Sequence, residues 1–183
     1  MPQTIDWKPL RPILDANRRF VISSHIRPDA DAIGSELGLA AVLEALGKEV
    51  RIINPSATSR HLLFLDPTRR VQKLGDGVTV EQASEADVHI VVDTSARGQL
   101  DTVCKVLDQT PAKKVIIDHH DGGDDFGALE FRDVTVSATG VLITELSEYL
   151  GVVLPDAAAS QLYAAIATDT GWFRFPNTDS RTL

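Results

Sequence analysis

Four short apolar runs punctuate the chain, at residues 20–23, 50–53, 88–92 and 115–117, each rich in β-branched residues. Near-continuous apolarity over so few positions suits strands buried on both faces of a parallel sheet. Elsewhere the period is that of a helix. Leu39, Val42, Leu43 and Leu46 recur at i, i+3, i+4 and i+7, and Gly47 follows as a C-terminal stop. Leu142, Leu146, Tyr149 and Leu150 form a second stripe; Ala159, Leu162, Tyr163 and Ile166 form a third, after Pro155 and Asp156 open a new helix. Strands alternating with helices predict right-handed βαβ crossovers and so an α/β fold, a doubly wound, mostly parallel β-sheet with helices on both faces.

Composition narrows this picture. The 183 residues are 43% apolar, and no repeat, low-complexity tract or glycine/serine linker divides them, so one domain over residues 1–183 is expected. Cys104 is the single cysteine and can form no internal disulfide, which suits a reducing, cytoplasmic compartment. The opening M-P-Q-T-I-D-W-K-P-L-R lacks the apolar run of a signal peptide, and no later segment approaches the roughly 18 apolar residues of a membrane span. A net charge of −8 argues against a broad surface for long duplex nucleic acid, where Lys and Arg must neutralise phosphates. A small anionic ligand stays compatible if bound cations invert the local charge. No G-x-x-x-x-G-K or G-x-G-x-x-G fingerprint marks a triphosphate motor or a dinucleotide oxidoreductase.

In open α/β sheets ligands bind beyond the carboxyl ends of the strands. His25, Asp29 and Asp31 follow the first run, Asp93 the third, and Asp118, His119 and His120 the fourth. Any one of these aspartates reads equally well as a cap or turn residue; three strand ends supplying acids and imidazoles together favour a metal site. Asp29 and Asp31 are two residues apart, so in extended chain their carboxylates point to one side and could serve neighbouring ions, with Asp93 as a bridge. Oxygen and imidazole donors without thiolate favour Mn²⁺, with Mg²⁺, Co²⁺ or Zn²⁺ as substitutes. Two such ions roughly 3.5–4 Å apart clamp a phosphate and acidify a water, which is phosphoryl hydrolysis. Asp169, in A-T-D-T-G-W-F, reads locally either as a capping turn or as a further ligand.

The segments S-S-H-I-R-P-D-A-D-A-I-G-S, V-V-D-T-S, I-I-D-H-H and A-T-D-T-G-W-F, in this order and spacing, resemble the four motifs of the DHH phosphoesterases. The resemblance runs from about Phe20 to the last residue and is strongest to the bacterial oligoribonuclease and 3′-phosphoadenosine 5′-phosphate (PAP) phosphatase group. It implies that His25, Asp29 and Asp93 hold one Mn²⁺ and that Asp31, Asp93, His119 and Asp169 hold the other, with Asp93 bridging. It also implies that Asp118 orients a histidine, that His120 faces the substrate phosphate, and that exonuclease-type hydrolysis of short RNA or small nucleotides follows. Cyclic dinucleotides and pyrophosphate are alternative substrates within the superfamily; a non-catalytic, metal-dependent nucleotide-binding module is the alternative outside it. Ala30 replaces the glycine common between the paired aspartates, which leaves the ligands intact. The resemblance further implies a smaller C-terminal substrate-binding lobe, absent here, since the sequence stops at Thr182-Leu183 where its connector would begin.

Weaker signals surround these motifs. Arg27, inside the first, and Arg97 could reach phosphate through their guanidinium forks. Ser137 and Thr139, at the start of the second stripe, could bind an anion at a helix N-terminus or cap that helix. Arg174 reads as a solvated surface residue, and His61 and His89, lacking acidic partners at ligand spacing, as structural or exposed. Trp7, Trp172 and Phe173 are expected to pack, although Trp172 is near enough to Asp169 to stack on a base. A homodimer is compatible with all of this.

Overall fold

The computed structural model describes residues 5–183; the first four residues of the stretch read as leader-free lie outside them. In chain order the elements are α1 (Arg11–Ala16), β1 (Arg19–Ser23), α2 (Ala30–Ala45), β2 (Glu49–Asn54), β3 (Val71–Lys73), α3 (Val80–Ser84), β4 (Val88–Val92), α4 (Arg97–Leu100), α5 (Cys104–Gln109), β5 (Lys113–Asp118), β6 (Leu129–Arg132), α6 (Thr139–Leu150) and α7 (Asp156–Asp169). The strands form one sheet in the order β3-β2-β1-β4-β5-β6, and every pair is parallel. The chain winds outward from β1 to β3, returns to the centre at β4, and winds the other way to β6. That reversal sets β1 beside β4, with Ser23 level with Val91, and opens a crevice beyond their carboxyl ends.

Both faces of the central strands are covered, which is why their sequences do not alternate. Phe20, Ile22, Ile90, Val92 and Ile117 pack against Ile33, Leu43, Leu142 and Leu162 from α2, α6 and α7. Val21, Ile53, Val91 and Ile116 pack against Leu100, Val106 and Leu107 on the opposite side. Each large apolar side chain so buried stabilises the fold by about 1.5–3 kcal/mol. The strands absent from the sequence reading, β3 (V-Q-K) and β6 (L-E-F-R), are short edges with exposed positions, too polar to register as apolar runs.

The helix read from Leu39 to Leu46 begins much earlier, at Ala30. Its first half, A-D-A-I-G-S-E-L, sets Ile33 and Leu37 among small and acidic residues and so shows no long stripe of large residues. This corrects the expectation that Asp29 and Asp31 lie in extended chain: Asp29 is the N-cap, accepting from the Ala32 N–H at 3.0 Å, and Asp31 sits in the first turn. The small residues serve close packing. A Cβ on Gly34 would lie 2.4 Å from the Gln161 carbonyl oxygen, and one on Gly38 would lie 2.6 Å from the Leu162 side chain. With helix backbones in such contact, α7 runs back along α2 and brings its last residue, Asp169, to the level of Asp31.

Candidate metal centre

β1 delivers His25 and β4 delivers Asp93 to the same crevice. The His25 Nδ1 lies 2.9 Å from the carbonyl oxygen of Ile26; a proton there leaves the Nε2 lone pair facing Asp93 Oδ2 at 3.4 Å and Asp29 Oδ1 at 3.8 Å. Asp93 adopts a left-handed backbone, φ 61°, a conformation that costs a non-glycine residue about 1–3 kcal/mol. The turn places its carboxylate between two imidazoles, because Oδ1 lies 3.5 Å from His119 Nε2. That same nitrogen faces Asp31 Oδ2 at 3.8 Å and Asp169 Oδ2 at 3.5 Å.

Backbone groups hold the inner ligands. Asp31 is fully buried and accepts from the N–H groups of Thr139 and Gly140 at 2.7 and 2.9 Å, so its carboxylate occupies the electropositive start of α6. His119 Nδ1 lies 3.3 Å from the Val136 carbonyl oxygen. Its Nε2 is buried with no hydrogen-bond partner at all.

Electrostatics point the same way. Burial, reinforced by the charge of Asp31, raises the Asp93 carboxyl well above its ordinary value, and burial raises Asp31 too. Burial and then the charges of Asp31 and Asp29 push Asp169 up to about 7. Burial pulls His25 down, but the facing carboxylates of Asp29 and Asp93 outweigh that and lift it to about 11. The buried carboxylates concentrate negative charge that either protons or bound cations must offset.

The donor set fits divalent ions. Three groups bring ligand atoms within 4.8 Å of one another: His25, Asp29 and Asp93; Asp31, His119 and Asp169; and Asp93, His119 and His120. The N···O spacings of 3.4–3.9 Å are too long for hydrogen bonds. They match neighbouring ligands that each stand about 2 Å from a shared centre.

Asp118 stands behind this cluster, fully buried. It accepts from the His120 N–H at 3.1 Å, from His120 Nδ1 at 2.9 Å and from the Ser95 hydroxyl at 2.8 Å. Burial alone would raise its carboxyl; these bonds prevail and hold it below the ordinary value. The Asp118 bond in turn raises His120. His120, its ring thus fixed, borders a cavity of about 330 Å³ that His25, Asp29, Asp93, Gln99 and Asp121 also line.

The peripheral candidates fare differently. Ser137 and Thr139 are buried; the Ser137 hydroxyl lies 3.0 Å from that of Thr182, and the Thr139 hydroxyl donates to Asp93 Oδ1 at 2.9 Å. Both face inward, contrary to the expectation that they bind substrate, and the helix N-terminus beside them is already filled by Asp31. Arg97 pairs with Asp108 and lies over the Phe126 ring, outside the cavity lining. Arg27 is exposed two residues after His25, with φ 53° and its N–H donating to Ser56 at 2.6 Å. His89 is buried, 2.8 Å from the Ser23 hydroxyl, and burial lowers it to about 3. Trp7 stacks on Phe131 as expected of a packing residue, whereas Trp172 is 62% exposed, contrary to that expectation. Ser95 and the Val136 carbonyl were missed. Ser95 lies within V-V-D-T-S, but only folding brings it across to β5, and a backbone carbonyl leaves no trace in sequence.

Residues 19–166 match the DHH family, N-terminal domain. The chain is 32% identical over 191 residues to the bifunctional oligoribonuclease and PAP phosphatase NrnA of Thermus thermophilus, covering 100% of this chain and 54% of that protein. It is 36% identical over 172 residues to the Bacillus subtilis protein of the same name, covering 90% and 50%. An exopolyphosphatase-related protein from Bacteroides fragilis superposes with a TM-score of 0.89 at 26% identity, covering 98% of this chain and 55% of that one. The chain spans about half the length of the curated relatives it matches.

Proposed function

From a chain that belongs to the DHH family, we propose a Mn²⁺-dependent phosphoesterase lobe that hydrolyses short oligoribonucleotides and removes the 3′-phosphate of PAP. The observation that carries this reading is His119 Nε2, buried, unpartnered and facing the carboxylates of Asp31, Asp93 and Asp169. His25, Asp29 and Asp93 would hold one ion and Asp31, Asp93, His119 and Asp169 the other, with Asp93 common to both sets. Oxygen and imidazole donors support Mn²⁺, with Mg²⁺ or Co²⁺ as substitutes. When bound, two such ions supply charge for the phosphoryl oxygens and acidify a water.

The chain's own residues do the rest. Asp118 fixes His120 so that its outer edge stands in the cavity and donates to a phosphate oxygen, and Arg27, exposed beside His25, adds charge for the same group. Burial of Asp31 and Asp93 lowers the local dielectric at the inner side of the site and strengthens their interaction with a bound cation. Residues 5–183 would supply catalysis; the names of the NrnA relatives and the local cation demand support small nucleotides as substrates, in a reducing compartment compatible with the free Cys104.

The test is hydrolysis of a diribonucleotide, PAP, cyclic di-AMP and pyrophosphate, each with Mn²⁺ and with EDTA, alongside Mn²⁺ uptake by calorimetry. Chelator-sensitive release of mononucleotide and phosphate from the first two, with two ions bound, is expected. Cleavage confined to cyclic di-AMP or pyrophosphate would overturn the substrate assignment, and no ion uptake would overturn the site.

A further inference from the structure

The inner half of the cluster is held by one loop, residues 133–140, which touches His119 through the Val136 carbonyl, Asp93 through the Thr139 hydroxyl and Asp31 through two N–H groups. The loop is itself clasped from behind by the segment that follows α7. Arg181 Nε and Nη2 donate to Glu145 at 2.6 and 2.9 Å, and Nη1 donates to Asp133 at 2.6 Å. Its side chain is 11% exposed and that of Asp133 6%, so the charge-assisted fork is shielded from water. Asp133 also accepts from Thr135 N–H and Oγ at 2.9 and 2.6 Å, closing the turn that presents Val136. One residue on, Thr182 reaches Ser137; Asn177 Nδ2 donates to the carbonyl oxygens of Asp169 and Ser137 at 3.3 and 3.5 Å. His25 and Asp29 are fixed on the other side, by the Ile26 carbonyl and the start of α2.

We infer that Arg181 is a positioning residue for the inner ion site of Asp31, His119 and Asp169, acting through the 177–182 clasp on the 133–140 loop. The inference rests on the two-ion reading above and explains what the buried Asp133 and the half-buried Arg181 and Glu145 charges do so near a site they never touch. It assigns them a larger effect on the inner ion than on the outer one, which the loop reaches only through Thr139 and the shared Asp93. Outer partners that orient ligands change metal affinity by about 10–100-fold when removed.

The experiment is Mn²⁺ calorimetry on the full chain and on Arg181→Ala, Arg181→Lys and Thr182→Val, with circular dichroism and thermal midpoints. Two binding steps are expected for the wild type, assigned by Asp169→Ala (inner step lost) and Asp29→Ala (outer step weakened). Arg181→Ala should weaken the inner step by about 10–100-fold and the outer one by clearly less; Arg181→Lys, which keeps the charge but not the fork, should recover part of the loss. Unchanged constants in a folded Arg181→Ala would overturn the inference, as would equal weakening of both steps, which marks general destabilisation. If Arg181→Ala does not fold, the inner step of Thr182→Val decides by the same criterion. A wild type that binds no Mn²⁺ would overturn the metal reading itself, and this inference with it; two bound ions with an unaffected inner step would overturn the inference alone.

Discussion

Glu36 gives the sharpest quantitative expectation. It lies wholly buried in α2, with Oε2 accepting from Asn54 Nδ2 at 3.0 Å and Oε1 without a partner. Asn54 Oδ1 accepts from the Ser24 N–H and hydroxyl at 2.8 and 3.3 Å, directly before His25. Burial pushes the Glu36 carboxyl up from 4.5 to about 8, only partly offset by the hydrogen bond from Asn54 and the nearby Ser24 hydroxyl. The folded protein therefore keeps a proton that the unfolded chain loses near 4.5. Stability from this group is complete below about pH 4.5, falls by about 1.4 kcal/mol per pH unit as pH rises, and levels off above about 8. The whole window amounts to about 5 kcal/mol as a ceiling. Glu36→Gln keeps the shape and the acceptor for Asn54 but cannot ionise. Urea unfolding of both proteins from pH 5 to 9 in excess EDTA isolates the effect, because the metal-cluster groups titrate in both and cancel in the difference. With a slope of about 2–3 kcal/mol/M, the variant's midpoint should gain on the wild type by up to roughly 2 M between pH 5 and 8. A gap that stays constant across that range would refute the reasoning.

Asp93→Ala should leave the fold intact, abolish uptake of both ions by calorimetry and lower kcat by at least about 100-fold; near-normal Mn²⁺-dependent turnover would contradict the ligand assignment. Asp118→Asn should lower kcat on the order of 10–100-fold while two ions still bind, since it loosens His120 and not a ligand. Gly34→Ala should cost about 1–3 kcal/mol by forcing α7 away from α2, visible as a thermal midpoint lower by about 2–4 °C per kcal/mol. It should also weaken the ion held by Asp169, which an effect on stability alone would not do.

The inner strands were legible because burial on both faces leaves an unbroken apolar run, and the residues just past β1, β4 and β5 were legible because parallel strands end on one rim. The edges β3 and β6 were not, since an edge strand can be polar and short. The start of α2 was hidden for a related reason: acidic and small residues interrupt Ile33 and Leu37, yet glycines such as Gly34 and Gly38 are what a helix needs where another helix lies against it. Ser137 and Thr139 read as anion binders because a helix N-terminus does attract anions; the anion it attracts here is Asp31.

Sequence alone narrowed the candidate chemistry, because carboxylates and imidazoles without thiolates, at successive strand ends, limit the donor set before any coordinate is known. It also determined the α/β layering, which follows from local periodicity. Only the tertiary structure decided which groups meet. Asp169 reads locally as a turn residue or a ligand, and what sets it beside His119 is the contact of α7 with α2 at Gly34 and Gly38, far from Asp169 itself. The left-handed turn at Asp93, the Val136 carbonyl behind His119 and the Arg181 clasp likewise depend on long-range packing, to which no local pattern of residues is sensitive.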